Sequence, residues 1–179
     1  MNPSTQLVLS DREHLAARDV HFSRLQRIFS GRRTDYVYTL FGVTASGKSD
    51  PYTDTESWCE EALEALAEKA NALHDPKVFR PLIFSLHDVG PYGARFVERI
   101  LGAEVFELEG EKGHWKAHPL SKPIGSLQPP DLENNPTWTL ARRTASAFLA
   151  SRVTVPLFAL PCLSSPLSVA LNLYGQGFL

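Results

Sequence analysis

From Val153 to Leu179 the chain carries no Asp, Glu, Lys or Arg, and this run restricts the fold more than any other segment. So long an uncharged stretch has to leave water, and about 20 consecutive apolar residues are enough to cross a bilayer. Pro156, Pro161 and Pro166 cut it into shorter pieces. Pro161-Cys162-Leu163-Ser164-Ser165-Pro166 reads as a turn between two of them. The expectation is a buried strand and helix facing other parts of a protein core, with no membrane span.

The remaining composition is even. A chain of 179 residues can bury a substantial core as one domain. Charged residues make up 21% with a net charge of −2, which excludes a disordered acidic tail and a basic nucleic-acid arm. No nucleic-acid partner is expected. Cys59 and Cys162 are too few and too far apart for a disulfide scaffold, so a reducing, cytoplasmic setting is expected. The stretch from Met1 to Asp19 lacks a basic region followed by an apolar core, so no signal peptide is expected.

Strand and helix signals alternate along the chain. Ser10 to Phe29 has helical spacing through Leu15, Phe22, Leu25, Ile28 and Phe29, with Gly31 as terminator. Asp35 to Phe41 is rich in aromatic and β-branched residues, as a strand is. Thr53-Asp54-Thr55-Glu56 fits a capping box, opening a helix whose apolar face is Trp58, Ala62, Ala65, Leu66 and Leu73. Phe79 to Leu86 predicts a second buried strand, and Ala94 to Leu101 a short helix closed by Gly102. Val105 to Leu108 predicts a brief strand. Glu109 to Pro136 is a proline-rich excursion, read as an ordered loop because two tryptophans lie in or beside it. Asn135-Pro136 caps a helix with Trp138, Ala141, Ala145, Phe148 and Leu149 on its apolar face. A strand from Val153 to Leu160 and a helix from Leu167 to Tyr174 complete the pattern. Alternation of this kind predicts an α/β fold with a parallel sheet.

One motif points to nucleotide chemistry. Gly42-Val43-Thr44-Ala45-Ser46-Gly47-Lys48-Ser49 satisfies GxxxxGK[ST], whose amides cradle phosphates while the lysine and hydroxyl reach phosphate and Mg²⁺. That chemistry needs a helix starting at Gly47-Lys48. Pro51 and the later capping signal put the start near Thr53 instead, and Asp50 and Asp54 add negative charge. With only four fixed positions, the match is expected to be a coincidental βα loop. A small P-loop kinase using Gly42, Gly47, Lys48 and Ser49 is the alternative.

Other segments carry a family likeness. They are Ile83-Phe84-Ser85-Leu86-His87-Asp88, His114-Trp115-Lys116-Ala117-His118-Pro119-Leu120, Leu127-Gln128-Pro129-Pro130-Asp131-Leu132, and Val155 through Pro161-Cys162 to Leu167. Their order and spacing, over roughly Arg12 to Leu179, resemble the uroporphyrinogen decarboxylase-like superfamily. That superfamily includes the decarboxylase itself and the cobalamin-dependent methyltransferases. The resemblance implies a (β/α)8 TIM barrel, a fold of about 250 residues, with its chemistry on the loops after the strands. Residues 1–34 would then be an N-terminal helical segment, and 35–179 the first βα units of an incomplete barrel.

By the same resemblance, Asp88 is the candidate catalytic residue, since an aspartate after the "isoleucine-phenylalanine-serine" strand supports proton transfer in the decarboxylase. Here the acid comes two residues later, and Asp88 also suits a turn before Gly90. His87 is a candidate hydrogen-bond donor or a core residue. Tyr92 is a substrate contact or loop packing. Cys162 is a site residue or a buried, inert thiol. Ser164 is a donor to a substrate carboxylate, beside Ser165 as a helix cap. The decarboxylase's arginine-rich substrate loop is absent after the strand ending at Phe41. That branch needs no cofactor, whereas the methyltransferase zinc would come from residues beyond Leu179. The expected protein is a decarboxylase- or methyltransferase-like enzyme acting on a small molecule, completed by a longer chain or a second copy. A non-catalytic half-barrel assembly protein is the third reading.

Overall fold

The computed structural model describes residues 2–33, 39–40, 42–72, 78–79, 81–86, 93–111, 113–159, 161 and 163–175. In chain order the elements are α1 (Pro3–Leu9), α2 (Arg12–Phe29), β1 (Thr39–Leu40), β2 (Val43–Ala45), α3 (Thr55–Ala72), β3 (Val78–Phe79) and β4 (Leu82–Ser85). They continue with α4 (Phe96–Ile100), β5 (Val105–Glu107), β6 (Trp115–Ala117), α5 (Pro136–Ala150), β7 (Leu157–Ala159) and α6 (Pro166–Tyr174). The fold is α/β. The chain divides into two units, one of Met1–Ser85 with Thr144–Ala159, the other of Leu86–Arg143 with Leu160–Leu179.

The first unit is built on a parallel sheet in the order β2-β4-β7. β1 pairs with β3 in the same register that β2 keeps with β4: Thr39 lies opposite Val78, and Val43 opposite Leu82. Pro81, just before β4, has no N–H to give the ladder. The Pro81 carbonyl still accepts from the Val43 N–H at 3.0 Å. Helix α3 makes the crossover from β2 to β4 and packs on both strands. Its Trp58, Ala62, Leu63 and Leu66 are fully buried. Phe84 on β4 is buried among Trp58, Phe148 and Phe158, with ring centroids 5.6, 4.9 and 6.0 Å away. Burying one such ring contributes about 1.5–3 kcal/mol, and each aromatic pair adds roughly 0.5–1.5 kcal/mol.

Two helices precede the sheet where the spacing predicted one. Asn2 accepts from the Ser4 N–H and Pro3 occupies the first turn, so α1 starts with the same Asn-Pro signal as α5. Leu9 ends it, buried, and its carbonyl accepts from the N–H groups of Thr154 and Val155. Asp11 then caps α2 through the Glu13 and His14 amides. Gly31, at φ 70°, closes α2 as expected. The Arg32 N–H reaches the Arg27 carbonyl and the Gly31 N–H the Ile28 carbonyl, the two bonds of a Schellman motif.

In the second unit β5 and β6 form an antiparallel hairpin, with Val105 opposite Ala117 and Glu107 opposite Trp115. The excursion predicted as loop therefore contains a strand. Ala103, Val169 and Leu173 form a small core, flanked by Val97, Leu101, Ala117, Leu120, Leu127 and Tyr174. The Leu120 N–H donates to the Leu173 carbonyl at 2.7 Å. Ser165 caps α6 and Gly175, at φ 67°, ends it.

The uncharged C-terminal run is only partly covered. Val155, Val169 and Leu173 are buried, but Leu163 is 69% and Leu167 56% exposed. Among the described residues no helix is long and apolar enough to cross a membrane.

Candidate functional site

Strand β2 ends at Ala45, and the chain then makes a tight path from Ser46 to Asp54 before α3 begins. In parallel α/β sheets the loops at the carboxyl ends of strands are the usual place for ligands. Gly47 lies so close to α3 that a Cβ there would run into the Trp58 carbonyl oxygen and stand 2.8 Å from Trp58 Cδ1. Only glycine fits, and the contact fixes the direction of the next two amides.

Those amides converge on one carboxylate. The Lys48 N–H donates to Glu61 Oε2 at 2.5 Å and the Ser49 N–H to the same oxygen at 2.7 Å. The Ser49 hydroxyl donates to Glu61 Oε1 at 2.8 Å. These bonds, with the positive charge of Lys48 as a lesser contribution, hold the Glu61 carboxyl below its ordinary range. Hydrogen bonds to a charged acceptor are about twice as strong as neutral ones. Lys69 of α3 also donates to the Thr44 carbonyl at 2.6 Å, tying the helix to β2.

This arrangement differs from a phosphate-binding P-loop. Gly42 lies before β2 rather than after it, Val43 to Ala45 are strand, and the helix starts at Thr55 rather than at Gly47-Lys48. The amides of Lys48 and Ser49 hold the protein's own carboxylate. The helix cap is also one residue later than the capping box predicts. Asp54 accepts from the Ser57 N–H at 3.0 Å, while the Thr53 hydroxyl turns back to the Asp50 carbonyl.

Gly47, Lys48 and Ser49 are thus brought together with Glu61 and Trp58, neither of which the sequence had singled out as a site residue. Glu61 looks like one more solvated acid in Glu60-Glu61, and only its place one turn after Trp58 hints at the loop. Ser164 is exposed just ahead of the Ser165 cap. Asp88, His87, Tyr92 and Cys162 lie outside the described residues. Among the described residues no three His, Cys, Asp or Glu side chains are placed to share a metal ion.

Among the described residues two other ionisable side chains are buried. Cys59 on α3 is a free thiol pushed up to about 12 by burial and then by the Glu56 carboxylate, which leaves it protonated and unreactive at neutral pH. In the second unit Glu98 is 1% exposed. Its Oε1 accepts from Asn172 Nδ2 at 2.6 Å and faces Arg95 Nη1 at 3.7 Å. Arg95, at φ 56°, also donates to the Trp115 carbonyl. This cluster fastens α4 to α6 and to the hairpin. Its groups are turned towards one another, as in a structural network.

No protein-family model, curated protein or solved structure matches the chain.

Proposed function

We propose that the protein is a uroporphyrinogen decarboxylase-like enzyme, acting on a small molecule as a decarboxylase or a corrinoid-dependent methyltransferase. One observation supports this reading beyond the sequence resemblance. β2, β4 and β7 are parallel and lie side by side in chain order, with α3 crossing between the first two. A (β/α)8 barrel begins with strands in that sequential order. A dinucleotide-binding doubly wound sheet also keeps its first three strands in sequence and reverses only after the third, so this order fits the start of a barrel without being unique to it.

In this reading the three parallel strands are the start of a barrel, and further strands come from a continuing chain or a second copy. Asp88 follows β4 by three residues in the chain, and Cys162 and Ser164 follow β7. Asp88 moves the proton in decarboxylation, a general acid-base role worth about 10²–10⁴-fold in rate. His87, Tyr92 and Ser164 supply hydrogen bonds that orient the substrate, and the setting is the cytoplasm.

The test uses the purified protein and its Asp88→Asn variant, with molar mass measured by light scattering. Each is assayed for CO2 release from a porphyrinogen carboxylic acid and for methyl transfer from methylcobalamin to a thiol. Turnover in one assay that Asp88→Asn lowers by about 10²-fold or more supports the proposal. A folded protein with no turnover in either assay, or with turnover indifferent to Asp88→Asn, overturns it. A dimer without turnover selects the non-catalytic assembly instead.

A further inference from the structure

Two observations on the loop after β2 remain outside that function. The first is the set of three donors, from the Lys48 and Ser49 amides and the Ser49 hydroxyl, all directed at Glu61. A single carboxylate receiving two consecutive main-chain N–H groups is the geometry of an anion receptor. The second is Trp58. Its side chain is fully buried, yet among the described residues its indole Nε1–H has no acceptor. Cδ1, the carbon bonded to that nitrogen, is the ring atom nearest Gly47. Buried donors nearly always have a partner, and this unfilled one lies next to the loop whose three donors meet at Glu61.

We infer that Ser46–Ser49 and Trp58 form an oxyanion-binding site, occupied at rest by Glu61, that takes a carboxylate or phosphate group of a small ligand. Glu61 acts as a latch. It is half-buried at the surface of α3, so it can swing into water while an incoming anion takes over its hydrogen bonds. Lys48 is exposed and adds positive charge for a ligand that carries more than one. The three donors of Lys48 and Ser49 can serve either a planar or a tetrahedral oxyanion, and a latch closed in nine-tenths of molecules weakens apparent affinity about tenfold.

The inference stands apart from the barrel reading, because it concerns anion affinity and no turnover. The experiment follows the backbone amides of Lys48 and Ser49 and the indole N–H of Trp58 by two-dimensional NMR. Inorganic phosphate and acetate are titrated separately into the wild type, Glu61→Ala and Glu61→Gln. Glu61→Ala is expected to show saturable shifts at all three groups, with affinity about tenfold or more above the wild type, and Glu61→Gln, whose neutral amide oxygen is a weaker acceptor, a smaller gain above the wild type. Ser49→Ala on the Glu61→Gln background is expected to weaken that binding. Saturation by phosphate alone assigns a phosphate ligand, and by acetate alone a carboxylate. If Glu61→Ala disturbs the fold, the near-isosteric Glu61→Gln carries the test. A folded latch variant whose three groups do not respond to either anion overturns the inference, as does equal binding by the wild type.

Discussion

In the first unit the buried side chain with the most aromatic neighbours is Phe84, whereas in the second a carboxylate, Glu98, is buried as completely as Leu173. The first unit has an 18-residue helix, α3, laid over β2 and β4 of the parallel sheet, enough surface to bury Trp58, Leu63, Leu66 and Phe84 together. The second has five-residue α4, a three-residue hairpin pair and nine-residue α6, and its buried apolar residues include the small cluster of Ala103, Val169 and Leu173. Directional bonds supplement so small a cluster. Asn172 meets Glu98, Arg95 meets the Trp115 carbonyl, and Asn135 Nδ2 meets the Ile100 carbonyl at 3.1 Å. Apolar packing tolerates small shifts; hydrogen bonds to a buried carboxylate do not, because an unmade one costs more than a made one contributes.

The largest effect is expected from Phe84→Ala. Removing a ring packed against three others costs about 3–5 kcal/mol, read from urea unfolding. Cys59 provides a second readout, since its protonated, buried thiol should react with iodoacetamide only when the first unit opens. A loss of less than about 1 kcal/mol would mean that the aromatic cluster does not anchor this unit.

Glu98→Ala is the matching test of the second unit. It leaves Asn172 without its acceptor and should cost about 1–3 kcal/mol, with amide exchange in α6 rising first. Glu98→Gln keeps an acceptor for Asn172 and should cost less than Glu98→Ala. Equal losses would show that packing, rather than the hydrogen bond, holds α6.

Smaller effects separate neighbouring residues. Asp54→Ala removes the α3 cap and should lower stability by about 1 kcal/mol, whereas Thr53→Ala should stay within about 0.5 kcal/mol. The reverse order would restore the capping box predicted from sequence. Leu149 is 75% exposed, so Leu149→Ser should change stability by less than about 0.5 kcal/mol.

Acid should loosen the loop after β2. Glu61 has a lowered folded pKa, so its stabilising bonds are complete above the ordinary carboxylate range and lost as pH falls through the depressed value. Glu61→Gln should remove that acid-dependent step in the Lys48 and Ser49 amide shifts.

Much of the fold was legible where a signal is local. Gly31 ends α2, Asn135-Pro136 opens α5 and Ser165-Pro166 opens α6, because a cap is made by groups within a few residues of one another. The Asn2-Pro3 start of α1 carries the same signal, but a seven-residue helix leaves too little periodicity behind it to mark a helix. β6 was hidden for a similar reason: Trp115-Lys116-Ala117 is too short to show alternation by itself. On α5 the predicted apolar face is right at Ala141 and Phe148 and wrong at Leu149. Thr137 and Thr144 are buried and Leu149 is exposed, so the buried face runs through Leu140, Ala141, Thr144 and Phe148. Hydrophobicity alone cannot report that, because the face a helix turns inward depends on what it packs against.

The candidate site shows the same division more sharply. The glycine, lysine and serine of 47–49 were visible as an anion-binding pattern. That a glutamate on the following helix fills the pattern was not, since this depends on how far α3 is displaced along the chain and how closely it approaches Gly47.

The sequence by itself determined the α/β alternation and several helix ends, since each rests on backbone chemistry within a turn or a strand. Only the tertiary structure decided the order β2-β4-β7, the covering of Val169 and Leu173 but not of Leu163 and Leu167, and the pairing of Glu61 with Lys48 and Ser49. Those outcomes come from surfaces meeting across many residues of chain, where shape and unfilled hydrogen-bonding groups select the partner and no local propensity encodes it.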